Sequence, residues 1–169
     1  MSDLPQRKRN RLEQEYYSLT GSFFLTICTH KRQKILSNIV GAIHESPAVN
    51  LTPCGQIVDR IVQELPDRFP LTVDHYVIMP NHIHLIITLK DCDEIRAIRE
   101  SPLPKRSMIS KVVGYLKMNA TKQIHTLTSG AIFQRSFYDH VIRNGREYEE
   151  ISQYVAQNPQ NWQTDSLYC

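Results

Sequence analysis

The stretch from Leu71 to Leu89 constrains this chain most. Its second half reads His82-Ile83-His84-Leu85-Ile86-Ile87-Thr88-Leu89. Successive side chains of a strand point to opposite faces. Ile83, Leu85, Ile87 and Leu89 therefore share one face, which suits a core. His82, His84, Ile86 and Thr88 share the other. Val73 to Met79 reads as a preceding strand, and Pro80-Asn81 between the two is a turn signal. The pattern asks for an antiparallel hairpin with one apolar face and a histidine pair on the other.

Further elements follow on both sides. Gly21 to Thr29, rich in aromatic and β-branched residues, reads as a strand with a charged extension over 30–36. Gly55 to Phe69 carries a helical stripe of Ile57, Val58, Ile61, Val62 and Leu65, limited by Pro66. Ser107 to Ile124 is a helix with Met108, Ile109, Val112, Val113, Leu116 and Ala120 on its apolar face. Ala131 to Arg143 reads as a strand. Glu147 to Gln157 is a helix, preceded by Asn144-Gly145 as cap or turn and stopped at Pro159. The order β-α-β-β-α-β-α predicts an α+β ferredoxin-like sandwich, an antiparallel sheet with helices on one face.

The 169 residues fit one domain over 1–169. Residues 1–15 are expected to be a basic N-terminal arm, and 41–54 and 91–106 insert-like loops. A 41% hydrophobic content suffices for a core. No apolar run approaches the roughly 20 residues that span a bilayer. The polar stretch Met1 to Glu15 has no signal-peptide character, so a cytoplasmic location is expected. Cys28, Cys54, Cys92 and Cys169 form no CxxC pair, which argues against a zinc ribbon and for free thiols. The net charge of +3 is unevenly placed. Residues 1–36 hold seven Lys/Arg against three acids. Arg7, Lys8, Arg9 and Arg11 make a cluster suited to phosphate contacts, or simply a solvated tail.

Two segments resemble each other: Ala42-Ile43-His44-Glu45-Ser46-Pro47 and Ala97-Ile98-Arg99-Glu100-Ser101-Pro102. Neither has helical or strand periodicity, and a solenoid would need more units at fixed period. Chance, an internal duplication, or insertion of palindromic DNA into the gene would each produce them. Gly41 to Pro47 and Arg96 to Pro102 can both be encoded by inverted repeats with the same arms.

The histidine pair carries the first chemical signal. His82 and His84 lie about two strand steps, roughly 6–7 Å, apart at the backbone. Both rings can reach one divalent cation, although an HxH on a strand also fits two surface histidines. The last helix adds Tyr154 and Asn158, one turn apart on one face. Tyrosine is a weak nucleophile at its ordinary pKa near 10 and needs help from a cation at the phosphate. The bland alternative packs Tyr154 at the core edge and makes Asn158-Pro159 a helix stop. Tyr138 and Tyr148 are rival tyrosines. Tyr148 is about 240° round the helix from Tyr154.

Met79-Pro80-Asn81-His82-Ile83-His84-Leu85-Ile86-Ile87 resembles the HUH signature of the single-tyrosine transposases. Tyr154-Val155-Ala156-Gln157-Asn158-Pro159, followed by Trp162, resembles the tyrosine helix of their REP-associated branch, as do Phe23 to Lys31 and Phe133 to His140. The resemblance spans roughly residues 5–162 and implies the ferredoxin-like fold. It implies Mg²⁺ or Mn²⁺ held by His82 and His84, with Asn158 at the third ligand position. It implies Tyr154 as nucleophile on single-stranded DNA, giving a 5′-phosphotyrosine and a free 3′-hydroxyl. It implies hairpins of palindromic repeats as partners, bound by a monomer or homodimer near the nucleoid. The competing expectation is a catalytically inactive nucleic-acid-binding regulator on the same fold. A metallohydrolase without a covalent step ranks last, for want of further Asp or His ligands near the strand.

Overall fold

The computed structural model describes residues 21–41, 48–91, 107–165 and 167. In chain order these form β1 (Gly21–Cys28), β2 (Ser37–Val40), β3 (Ala48–Leu51), α1 (Pro53–Gln63), α2 (Leu65–Arg68), β4 (Leu71–Ile78), β5 (His82–Leu89), α3 (Met108–Ile124), β6 (Tyr138–Ile142) and α4 (Gly145–Gln157). The main sheet is antiparallel with strand order β4-β5-β1-β6. β4 and β5 form the hairpin expected around Pro80-Asn81, and β1 lies between β5 and β6. This is the expected α+β architecture.

Strand alternation gives the sheet two different faces. On one, Phe23, Leu25 and Ile27 of β1 meet Ile83, Leu85 and Ile87 of β5, all fully buried. α1 and α3 cover this face with Val58, Ile61, Val62, Met108, Ile109, Val112, Val113 and Leu116. The other face holds Phe24 and Thr26 of β1 beside His84 and Ile86 of β5. α4 packs here, setting Ile151 and Val155 against Ile86 and Ile142. The expectation of helices on one face thus holds for α1 and α3 but not for α4. With the first face already covered, the short Ile151/Val155 stripe finds its apolar partners on the second.

Several boundaries differ from those read in the sequence: α4 starts at Gly145 rather than Glu147, and β4 spans Leu71–Ile78 rather than 73–79. The helix expected over 55–69 starts earlier, at Pro53, and ends at Gln63 before the short α2. Thr52 caps α1 by accepting from Gly55 N at 3.1 Å. Pro66 has no N–H to continue the ladder and sits instead in the first turn of α2. The strand expected over 131–143 is confined to Tyr138–Ile142, with one isolated bridge from Phe133 to Thr29. Ile132 and Gln134 still bond to the end of β1, while Lys117 Nζ of α3 donates to the carbonyls of Gln134 and Ser136, each at 2.8 Å, and so occupies acceptors that a strand partner would use. Within 41–54, expected to be an insert-like loop, Ala48–Leu51 pairs with Ser37–Val40, and Pro53 already belongs to α1. The near-repeats at 42–47 and 97–102 lie outside the described residues, as does 92–106.

Hydrogen bonds clamp the turn before β5. Leu36 N donates to Pro80 O at 3.0 Å, Thr29 N to Asn81 O at 2.9 Å, and Ser37 Oγ to Ile78 O at 2.8 Å. At Gly55 a Cβ would stand 1.9 Å from Leu36 O, so only glycine lets α1 approach this segment. The start of β5 is thereby fixed in place. Among the described residues no helix is long and apolar enough to cross a membrane.

Candidate active site

β5 sets His82 opposite Cys28 and His84 opposite Thr26 of β1. Both rings are buried, with centroids 4.5 Å apart. Each is oriented through Nδ1. His82 Nδ1 is 2.7 Å from Asn81 Oδ1, and His84 Nδ1 is 2.9 Å from Thr26 Oγ1. The Asn81 amide orientation is set because its Nδ2 donates to Leu167 O at 2.8 Å. Its Oδ1 can only accept, so His82 Nδ1 carries the proton and Nε2 keeps a free lone pair. The Thr26 hydroxyl allows the same tautomer at His84. A second partner that turns Nε2 toward an open position is the usual support of a ligating histidine.

α4 begins at its cap, where Asn144 Oδ1 accepts from Glu147 N at 2.9 Å. The helix phase then directs Tyr154 and Asn158 to the histidines. Tyr154 Oη lies 3.3 Å from His84 Nε2, and the two ring centroids are 5.2 Å apart. Tyr154 remains 44% exposed, so a group arriving from solvent can reach it. Asn158 is buried and donates through Nδ2 to Asp165 Oδ2 at 2.9 Å. Asp165 Oδ2 in turn stands 3.9 Å from His82 Nε2.

Sequence reasoning missed Asp165. It follows the single helical turn Trp162–Thr164, and His82, His84 and Asp165 offer ligand atoms all within 4.8 Å of one another. The available signal was weak: Asp165 is the only acidic residue after Glu150. His82 Nε2 and Asn158 Oδ1 are both buried and make no hydrogen bond. Buried polar atoms are rarely left so, and two ligand-type atoms in this state suit a cation. The donor set of imidazole nitrogens and amide and carboxylate oxygens fits a divalent metal.

The electrostatics agree with that use. Burial pushes His82 down to about 4, opposed by the Asp165 carboxylate and reinforced by the Arg32 guanidinium. Burial, with the neighbouring His82, holds His84 well below its ordinary value. Both imidazoles are neutral at neutral pH and available as ligands. Tyr154 is shifted the other way. Burial and the Asp165 charge raise its pKa, while the Asn158 amide works against them. With no cation beside it, the tyrosine is held as a phenol.

A cleft of about 410 Å³ opens beside this group. Phe24, Tyr138, Tyr154 and Arg32 are among its walls. Lys31 and Arg32 both have positive φ, 50° and 55°. Non-glycine residues in that region often mark functional turns. Of the rival tyrosines, Tyr138 lines the cleft, half exposed, with its ring 6.4 Å from Phe24. Tyr148 faces elsewhere, 6.2 Å from the ring of His75. The structure thus gathers His82, His84, Tyr154 and Asn158 and adds Asp165 and Arg32. Arg7, Lys8, Arg9 and Arg11 lie outside the described residues.

The antiparallel sheet, flanked by helices on both faces, is the fold of a transposase. It matches the solved structure of a REP-associated tyrosine transposase bound to a REP hairpin with a TM-score of 0.60 at 20% identity, covering 85% of this chain and 70% of that one. In sequence, too, the chain is similar to REP-associated tyrosine transposases. The Escherichia coli protein of that name is 23% identical over 85% of this chain and 69% of its own. An uncharacterized Haemophilus influenzae protein is 28% identical over 96% of this chain and 93% of its own. No family model matches the chain.

Proposed function

We propose that this protein is a metal-dependent, single-strand DNA endonuclease and strand transferase that acts on hairpins of palindromic repeats. The observation that carries this reading is Tyr154 Oη at 3.3 Å from His84 Nε2, beside the buried atoms His82 Nε2 and Asn158 Oδ1, which lack a geometric hydrogen bond. Hairpin DNA as substrate is supported by the similar transposase solved with a REP hairpin. The proposed ligands are His82, His84, Asn158 and Asp165, holding Mg²⁺ or Mn²⁺. When bound there, a divalent cation would supply charge to polarise a phosphoryl oxygen and would favour the phenolate.

The chain's own groups do the rest. Asn81 holds the His82 tautomer, and Thr26 orients the His84 ring. Phe24 and Tyr138 offer aromatic faces on which bases of a single strand can stack. Arg32 and the basic arm, Arg7, Lys8, Arg9 and Arg11, offer charge to phosphates. Tyr154 Oη loses its proton to solvent and bonds to phosphorus, and the P–O3′ bond breaks. The departing 3′-oxygen takes up a proton, leaving a 5′-phosphotyrosine and a free 3′-hydroxyl. Attack by another DNA 3′-hydroxyl reverses the exchange and returns the phenol. One phosphoester is traded for another at each step, so no external energy source is needed. The proposed setting is the bacterial cytoplasm, at the nucleoid.

The test is incubation with hairpin DNA and Mg²⁺ or Mn²⁺, resolved on a denaturing gel. Wild-type protein is expected to give a covalent protein–DNA adduct. Tyr154→Phe is expected to give none while binding the hairpin within about threefold of wild type, because phosphate contacts elsewhere dominate affinity. An adduct with the Phe variant would remove Tyr154 as nucleophile. Tight hairpin binding by wild type with no adduct in either metal would favour a catalytically inactive regulator.

A further inference from the structure

Gly41-Ala42-Ile43-His44-Glu45-Ser46-Pro47 and Arg96-Ala97-Ile98-Arg99-Glu100-Ser101-Pro102 play no part in the site. The genetic code ties them to DNA that folds on itself. The first can be written GGG GCG ATT CAT GAA TCG CCC, the second CGG GCG ATT CGC GAA TCG CCC. Apart from the first base, each is a perfect inverted repeat, and the two share their arms.

Degeneracy supplies much of this pairing, but not all of it. With serine encoded as TCN, the first bases of Ala42 and Pro47 must pair, as must those of Ile43 and Ser46, and of His44 and Glu45. They are G with C, A with T, and C with G. With Arg99 encoded as CGN, the second segment meets the same demands. The positions where the segments differ are equally telling. Gly41 and Arg96 can differ in the first codon base alone, which lies outside the repeat. His44 and Arg99 differ at the central dinucleotide, AT against GC. That is the apex, whose bases open to form the turn of a hairpin. A duplicated peptide has no reason to confine its changes to these places.

The fold points the same way. Val40 and Ala48 are register partners in the β2–β3 hairpin, so Gly41 to Pro47 is the connection between them. Arg96 to Pro102 falls between β5 and α3. These places are not equivalent in the fold, as they would be for a repeated structural unit. In the chain both fall between described elements, away from the residues that form the core cluster, and added residues between elements are the kind that a fold tolerates.

We propose, resting on the function above, that the hairpin this protein recognises has the arms 5′-GGGCGATTC and GAATCGCCC-3′. Copies of it have entered the protein's own coding sequence at codons 41–47 and 96–102. The enzyme would thus carry in its gene the DNA it acts on.

The gene itself is the first test. Codons that pair across both segments are expected, and codons that cannot pair overturn the inference. The second test uses the snap-cooled oligonucleotide 5′-GGGCGATTCATGAATCGCCC-3′ with the single-stranded flank found in the gene. Its control is a hairpin of the same base composition with shuffled but fully paired arms. Binding of the first is expected to be at least about tenfold tighter, a gap that one mismatched pair can produce in specific recognition. Equal binding overturns the inference. A pool of other hairpins from the same genome separates the two proposals. An adduct with the pool and none with this probe removes the assigned arms and leaves the proposed function standing. No adduct with any DNA removes the proposed function, and preferential binding of this probe would still support the assigned arms.

Discussion

β1 and β5 present two faces made by the same residues in alternation, and the faces answer to different demands. One carries Phe23, Leu25, Ile27, Ile83, Leu85 and Ile87, sealed under α1 and α3. The other carries Thr26, His82 and His84 under α4 and the segment that follows it. Both are buried, and among the described residues the second leaves His82 Nε2 and Asn158 Oδ1 without a hydrogen bond. Burial of apolar surface stabilises by about 25 cal/mol per Å². A buried polar atom without a hydrogen bond costs roughly 1–3 kcal/mol. The first face therefore holds the fold together, and the second spends part of that stability on a site. Adjacent positions of one strand should then respond to substitution in opposite ways.

The sharpest way to break this comparison is to truncate neighbours on β5. His84→Ala removes a proposed ligand and is expected to lower metal-dependent adduct formation by more than about 100-fold, the scale on which an aligned electrostatic group contributes. Without metal it should lose less stability than a core leucine would, because what goes is one hydrogen bond to Thr26, worth about 1 kcal/mol, and the stacking on Phe24. Leu85→Ala should do the reverse. It is expected to cost about 2–5 kcal/mol in denaturant unfolding, as other buried leucines do. Adduct formation well below its melting temperature should stay near wild type. If His84→Ala proves as destabilising as Leu85→Ala while adducts persist, the division of labour between the faces is wrong.

Acid is the next probe, because it strikes the histidine face. His82 has its pKa pushed down to about 4 in the native protein by burial, against about 6.5 when unfolded. Below pH 6.5 the unfolded chain takes up a proton that the native chain does not. Stability contributed by the neutral ring is present above about 6.5 and is lost as pH falls toward 4. The loss from His82 alone is on the order of 3 kcal/mol, and His84 shifts in the same direction. Urea unfolding of metal-free protein across this range should show the decline. Replacing both histidines with Gln should flatten it, and a slope unchanged in the double variant would show that other groups cause it.

The same contrast explains what could be read from the sequence. β4, β5 and the histidine pair were legible because alternation is a local property, and one register satisfies both faces. Tyr154 and Asn158 were legible because a capped helix fixes their phase. The side of the sheet taken by α4 was not, since Ile151 and Val155 fit any exposed apolar patch, and only the prior claim of α1 and α3 decides between the faces. β2 and β3 escaped notice because these four-residue strands are largely exposed and bury little that could set a pattern. The stretch 131–137 looked like strand, but it makes only one bridge to β1, and Lys117 from α3 takes the carbonyls of Gln134 and Ser136, a contact that no local pattern announces. Asp165 was invisible for a related reason. Its place beside His82 depends on the turn after Asn158-Pro159 and on Asn81 catching Leu167 O, and neither leaves a periodic trace.

Asp165 therefore offers a smaller but cleaner test. Asp165→Asn keeps the side chain's shape and removes its charge. If the carboxylate is a ligand or holds one, Mn²⁺ affinity measured by calorimetry should fall about 10- to 100-fold, the usual loss for such a position. Adducts should be recovered at high metal concentration. In metal-free protein the same change should lower the Tyr154 pKa, because the Asp165 charge is one cause of its elevation. Unchanged metal affinity would assign Asp165 to orienting Asn158 instead.

The least effect is expected at Tyr148, which makes it a useful check on the nucleophile. Tyr148 shares α4 with Tyr154, but it packs against the small cluster of Ile86, Ile142 and Val155 and faces His75 rather than His84. Burial and the Asp74 carboxylate raise its pKa, with Ser152 acting in opposition. A phenol held this way is not primed for ionisation, and it has no histidine pair beside it. Tyr148→Phe should therefore change adduct yield by less than about twofold and stability by about 1 kcal/mol, the net worth of one hydrogen bond. Loss of adducts in this variant, with the fold intact by circular dichroism, would mean that the chemistry does not depend on which side of α4 faces the histidines.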